Sequence, residues 1–129
     1  MSLPPVMRKP KLYFDTASNP SHVTFDDGKE MRRAIPWPHL VEARWGYAEP
    51  DVIKIEIGGW LMLIRGHNLG PLFIALEEKT LLRVRAQPAL EQDREREMDT
   101  YAIEISFTKP PPGGAGTKRG GQIEFDLIG

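Results

Sequence analysis

His22, His39 and His67 are the first side chains in this chain to weigh as metal ligands or proton carriers. They stand 17 and 28 residues apart. A helix presents two ligands to one metal at i and i+4, and a strand at i and i+2, and no pair here has either spacing. They read as exposed or hydrogen-bonded turn histidines. Asp26, Asp27 and Glu30 crowd one turn and suggest a cation, but Gly28 comes too early for a calcium loop and no ligand follows at the required distance. Asp-Asp-Gly is ordinary hairpin chemistry.

The run Gly113-Gly114-Ala115-Gly116-Thr117-Lys118 has the look of a phosphate loop. Such a loop needs Gly-Lys-Ser/Thr directly before a helix, and here Gly-Thr-Lys precedes a strand pattern. Serine occurs only at positions 2, 18, 21 and 106, and none sits in a nucleophile elbow. No carboxylate is flanked by the apolar residues that would set up an acid–base pair. The reading is therefore a protein that is not an enzyme and needs no cofactor or metal.

Cations make the one pattern with chemical pull. Arg44, Lys54, Arg65, Arg83 and Arg85 all have outward parity on predicted strands, opposed there only by Glu42 and Glu56. A face of that charge binds phosphates. A single-strand binder also stacks bases on aromatics of the same face, whereas the tryptophans and tyrosines have inward parity. Nucleic acid is the alternative partner and not the favoured one. Trp37, between Pro36 and Pro38, sits on a stiff turn, where it either anchors a partner or closes the end of a sandwich.

Composition sets the frame. The chain has 129 residues, with 17 basic and 18 acidic side chains and a net charge of −1. That length fits one domain able to bury a core without staples. Cysteine is absent, which excludes disulfides and thiolate metal sites and fits a cytoplasmic setting. The N-terminus has no apolar signal region. The longest apolar run, 60–64, is too short to span a membrane. Twelve glycines and twelve prolines fall at punctuation points, as in a turn-rich β protein.

The elements that position these side chains follow from periodicity. Residues 1–11 read as a flexible arm and 12–129 as a single globular domain. A short strand is expected at 12–14. A hairpin follows over 22–35, closed by Gly28 in the left-handed region, with Phe25 opposite Lys29 and Val23 opposite Met31. Residues 39–47 alternate, with Val41, Ala43, Trp45 and Tyr47 inward, although Pro38 also suits the start of a helical turn over 38–42. Gly58-Gly59 reads as a two-residue hairpin turn that sets Ile57, Ile55 and Ile53 opposite Trp60, Met62 and Ile64. Leu69, Leu72, Phe73 and Leu76 form one helical stripe, capped at Asn68 or Gly70 and running to about Lys79.

Residues 80–87 form the next strand, with Leu82, Val84 and Ala86 inward and Leu81 outward with Arg83 and Arg85. Residues 89–99 are charged nearly all round and form an exposed short helix or a solvated loop. Tyr101, Ile103, Ile105 and Phe107 alternate as a further strand. Residues 109–121 read as a flexible Pro/Gly loop, and 122–128 as a last strand with Ile123, Phe125 and Leu127 inward.

The sum is an α+β fold, mainly β: an antiparallel sheet or small open barrel of about six to eight strands with one core helix. The most economical function is an accessory or protein-interaction module with a protein partner. Leu61 and Leu63 point away from Trp60, Met62 and Ile64, so the 60–64 strand is apolar on both faces, and the helix can cover only one. A symmetric homodimer would cover the other. Leu61, Leu63 and Trp37 are the candidate interaction surface.

Overall fold

The computed structural model describes residues 9–92 and 97–109. Within them the chain forms β1 (Phe14–Thr16), β2 (His22–Asp26), β3 (Arg32–Pro36), β4 (Leu40–Arg44), β5 (Val52–Ile57), β6 (Trp60–His67), helix α1 (Gly70–Glu77), β7 (Leu81–Arg85) and β8 (Tyr101–Thr108). Two short 3₁₀ turns, Trp37–His39 and Pro88–Gln92, link β3 to β4 and follow β7. The strands make two open four-stranded sheets, ordered β1-β7-β2-β3 and β4-β5-β6-β8. The second is wholly antiparallel. The first contains one parallel pair, β2 with β7, because β7 returns from α1 and inserts between β1 and β2. The class expected from the sequence, mainly β with a single core helix, is the one observed. Most of the 1–11 arm, most of the 109–121 loop and the whole 122–128 strand lie outside the described residues.

The Gly58-Gly59 hairpin is the frame of the second sheet. Both glycines have positive φ, +60° and +79°, as a two-residue turn matched to strand twist requires. The register pairs Ile57 with Trp60, Ile55 with Met62 and Ile53 with Ile64. Five of those six side chains are buried, and with Val23, Phe25, Val84, Leu69 just before the helix, and the helix residues Leu72 and Leu76 they form one core shared by both sheets. Phe73 is only half-buried, while Glu77 and Lys79 are exposed. Asn68 does not cap the helix. Leu69 occupies the N-cap without a side-chain bond, and Asn68 instead ties the helix start to the approach of β8. Its Nδ2 donates to the Met98 carbonyl at 3.1 Å, and the Thr100 hydroxyl donates to the Asn68 carbonyl at 2.7 Å.

Four local expectations are corrected. The first hairpin pairs Val23 with Ile35 and Phe25 with Arg33, not with Met31 and Lys29. The cause is Asp27. Its carboxylate accepts from the backbone N–H groups of Lys29, Glu30 and Met31 at 2.8, 2.9 and 3.1 Å, which holds 27–31 as a loop and moves the ladder further along β3. In β4 a bulge between Leu40 and Glu42 turns Leu40 and Ala43 inward opposite Ile57 and Ile55. Val41 is therefore 69% exposed, and Tyr47, beyond the strand end, is fully exposed. Leu81 is buried, not outward, because the β1–β7 register slips between Asp15 and Thr16 opposite it. Trp37 is buried, with 4% of its surface exposed, so it fills the core and is not a surface anchor.

Candidate functional site

The β2–β3 register has a chemical consequence. Arg33 stands directly opposite Phe25, and cross-strand neighbours share a face. A cation on the edge strand β3 is thus aimed toward the core side. Its guanidinium comes to rest 3.7 Å above the Trp60 ring and 5.2 Å from that of Phe107. The two rings meet edge-on, with centroids 6.4 Å apart and planes at 72°. Trp60 opens β6 and Phe107 lies near the end of β8, so the pair marks one end of the second sheet. Lys109 places its ammonium 5.2 Å from the Trp60 ring as well. Cation–π attraction holds such a guanidinium without neutralising it. Among the described residues Arg33 has no carboxylate partner, and its Nε is buried without a hydrogen-bond acceptor.

This cluster faces a cleft of about 650 Å³, within the usual range of binding sites. One wall is the 27–31 loop with Arg33. The other is five consecutive β8 residues, 103–107. Among the described residues β8 is the last strand of its sheet and pairs only with β6 over this stretch. Its earlier part is engaged: the Tyr13 N–H donates to the Thr100 carbonyl at 2.9 Å and the Gln87 N–H to the Ala102 carbonyl at 2.7 Å. From residue 103 to 108 the outer backbone edge has no strand beside it among the described residues. An edge of this kind is a template for another extended chain. The competing edges are poorer. β1 has three residues, β4 is bulged and bridged by its own Glu42–Arg44 pair, and β3 carries the inward Arg33, a device that blunts strand addition.

Charge around the cleft is uneven. Arg65 at the rim is neutralised by Glu91 and Glu104, each at 3.3 Å. Hydrogen bonds to Glu104 first and Glu91 second raise its already high pKa further. Asp27 spends its carboxylate on the loop amides. The lining carries Asp27, Glu30, Glu91 and Glu104 against Lys29, Arg33 and Arg65, so the cleft as a whole is not cationic. Its positive centre is local, at Arg33 over Trp60, which has no ion pair among the described residues.

The five cations read from the sequence do not form one face. Arg44, Lys54 and Arg65 lie on the β4–β8 sheet, while Arg83 and Arg85 lie on β7 in the other. Four of the five have a carboxylate within 4.0 Å: Arg44 with Glu42, Lys54 with Glu49, Arg65 as above, and Arg85 with Asp26. Leu61 is 38% exposed and Leu63 half-buried, and they stand side by side on the outer face of the second sheet opposite Glu56 and Lys54. The histidines stay apart in role. His22 bonds to Ser21, and His67 bonds to the Glu97 carbonyl at 2.7 Å and stacks on Tyr101. Among the described residues no group of three or more metal-ligating side chains assembles. The Gly113–Lys118 run lies outside the described residues.

Arg33 and Trp60 were not singled out by sequence reasoning. The signal was present: once Val23 is set opposite Ile35, Arg33 falls on the face of Phe25. The register depended on the Asp27 side chain, which periodicity does not read. No known family, no curated protein and no solved structure matches this chain.

Proposed function

We propose that this chain is a non-enzymatic interaction module that takes an extended, acidic segment of a partner protein along the 103–108 edge of β8. The observation that carries the reading is the Arg33 guanidinium, stacked on Trp60 at 3.7 Å and lacking a carboxylate among the described residues. Strand addition supplies main-chain hydrogen bonds, and alternate side chains supply specificity. An acidic side chain of the added strand meets Arg33, and apolar neighbours lie against Phe107 and Met31. A hydrogen bond to a charged group contributes about 1.5–3 kcal/mol, so one such contact is worth roughly a factor of 10 to 100 in affinity. The cysteine-free composition supports a cytoplasmic setting.

The test is fluorescence anisotropy with labelled peptides of alternating Glu and Val, against the same peptides with Lys for Glu. The acidic series binds about tenfold tighter or better, and Arg33→Gln removes the difference. Equal affinity for both series, or an unchanged preference in Arg33→Gln, defeats the reading.

A second reading rests on Leu61 and Leu63. Among the described residues no layer covers them, and a second copy of the chain would do so through a two-fold contact. The oligonucleotide alternative has weaker support, since its cations are divided between two sheets and mostly paired.

A further inference from the structure

A second cavity, of about 540 Å³, lies between helix α1 and the segment that follows β4. Its walls are aromatic. Trp45 leaves the sheet after Arg44 and turns onto the helix, where its ring meets that of Phe73 with centroids 5.5 Å apart and planes at 39°. The indole N–H donates to the Pro50 carbonyl at 2.9 Å, which fixes the ring and consumes its polar atom. Tyr47 completes the wall and is otherwise fully exposed, touching no core. Ile74, 51% exposed on the helix, forms another side.

We propose that this cavity binds an alkylated ammonium group. Trp45, Phe73 and Tyr47 all line it, and electron-rich rings attract a cation, as in the aromatic cages that recognise quaternary ammonium groups. Among the described residues the only lining side chain charged at neutral pH is Glu77. It is the last residue of α1, where the helix presents its negative end, and no basic residue stands in the last turn. A neutral apolar ligand would strip water from that carboxylate without return. A primary ammonium carries three donors, and beyond Glu77 the cavity offers few acceptors for them. A methylated ammonium needs no acceptors and fills apolar walls. The site is separate from the β8 cleft and does not depend on the reading given for it.

The experiment uses the full chain, with the Trp45 indole N–H signal followed by NMR during titration. The probes are choline and 3,3-dimethylbutan-1-ol, which has the same shape with carbon in place of the charged nitrogen. Choline is expected to bind about tenfold tighter than the alcohol. Tyr47→Leu and Glu77→Gln, both at exposed positions that leave the fold intact, each weaken choline several-fold and narrow that gap. A trimethyllysine peptide runs beside choline: tighter binding by the peptide places the ammonium on a protein chain, and tighter binding by choline makes it a free metabolite. Equal binding of choline and the alcohol overturns the proposal, as does the absence of any shift with choline in the wild-type chain.

Discussion

Gly66→Ala tests whether β8 is held against β6 as tightly as the cleft requires. Gly66 is buried in β6 at the bulge where the β6–β8 register slips after Arg65. A Cβ there runs into the Tyr101 carbonyl oxygen, and it would stand 2.9 Å from the Ala102 Cα and 3.0 Å from the Leu69 Cδ2. The first two are backbone atoms of β8 and cannot swing away. Relief requires β8 to retreat by roughly 0.7–1 Å or the bulge to reopen, against a close-packed core. Overpacking of this kind costs about 3 kcal/mol, a large share of the roughly 5–15 kcal/mol that holds a domain folded. The midpoint of thermal unfolding should fall by roughly 10 °C. Urea unfolding followed by tryptophan fluorescence measures the loss. Gly46→Ala is the control, because no described residue lies within 4 Å of its added Cβ, and it should stay within about half a kilocalorie of wild type. A loss under about 1 kcal/mol for Gly66→Ala would mean that β8 is not pinned at this point.

Other expectations follow from single contacts. Leu72→Ala, at a position with 1% exposure, should cost about 2–5 kcal/mol in urea, and half-buried Phe73→Ala less, near 2 kcal/mol. The Asp27 carboxyl is held below its ordinary value of 3.8, first by the Lys29 amide and then by those of Met31 and Glu30. Its folded pKa is the lower one, so the loop's stabilisation is complete above about pH 4 and drains away as pH falls through the folded value. Amide exchange at 29–31 should show that acid loss in wild type and not in Asp27→Asn, whose neutral oxygen still accepts; an identical pH profile in both would contradict the assignment. Light scattering should give a dimer for wild type and a folded monomer for Leu61→Lys with Leu63→Lys, whereas a wild type monomeric at high concentration removes the two-fold contact.

The hairpin at Gly58-Gly59 and the helical stripe from Leu69 to Leu76 were legible because one local rule governs each. A positive-φ glycine pair fixes register, and a 3.6-residue period fixes a buried face. What was not legible depends on partners remote in sequence. β7 enters between β1 and β2 only because helix α1 returns it there. Leu81 and Val41 change face at register slips that alternation does not encode. Trp37 looks exposed between two prolines, yet the chain turns it into the core. The candidate site belongs to this second group. Arg33 reads as one more surface cation until the Asp27 carboxylate sets the loop and brings the guanidinium over Trp60.

The central claim is that the β8 edge accepts an extended acidic chain. Hydrogen exchange along the strand, with and without a saturating Glu/Val peptide, addresses it most directly. Outward-facing amides within 103–108 should slow at least tenfold on binding, while those of the β4 edge, Leu40–Arg44, remain unchanged. Bound peptide with unaltered exchange on β8, or protection appearing on β4 instead, would contradict it.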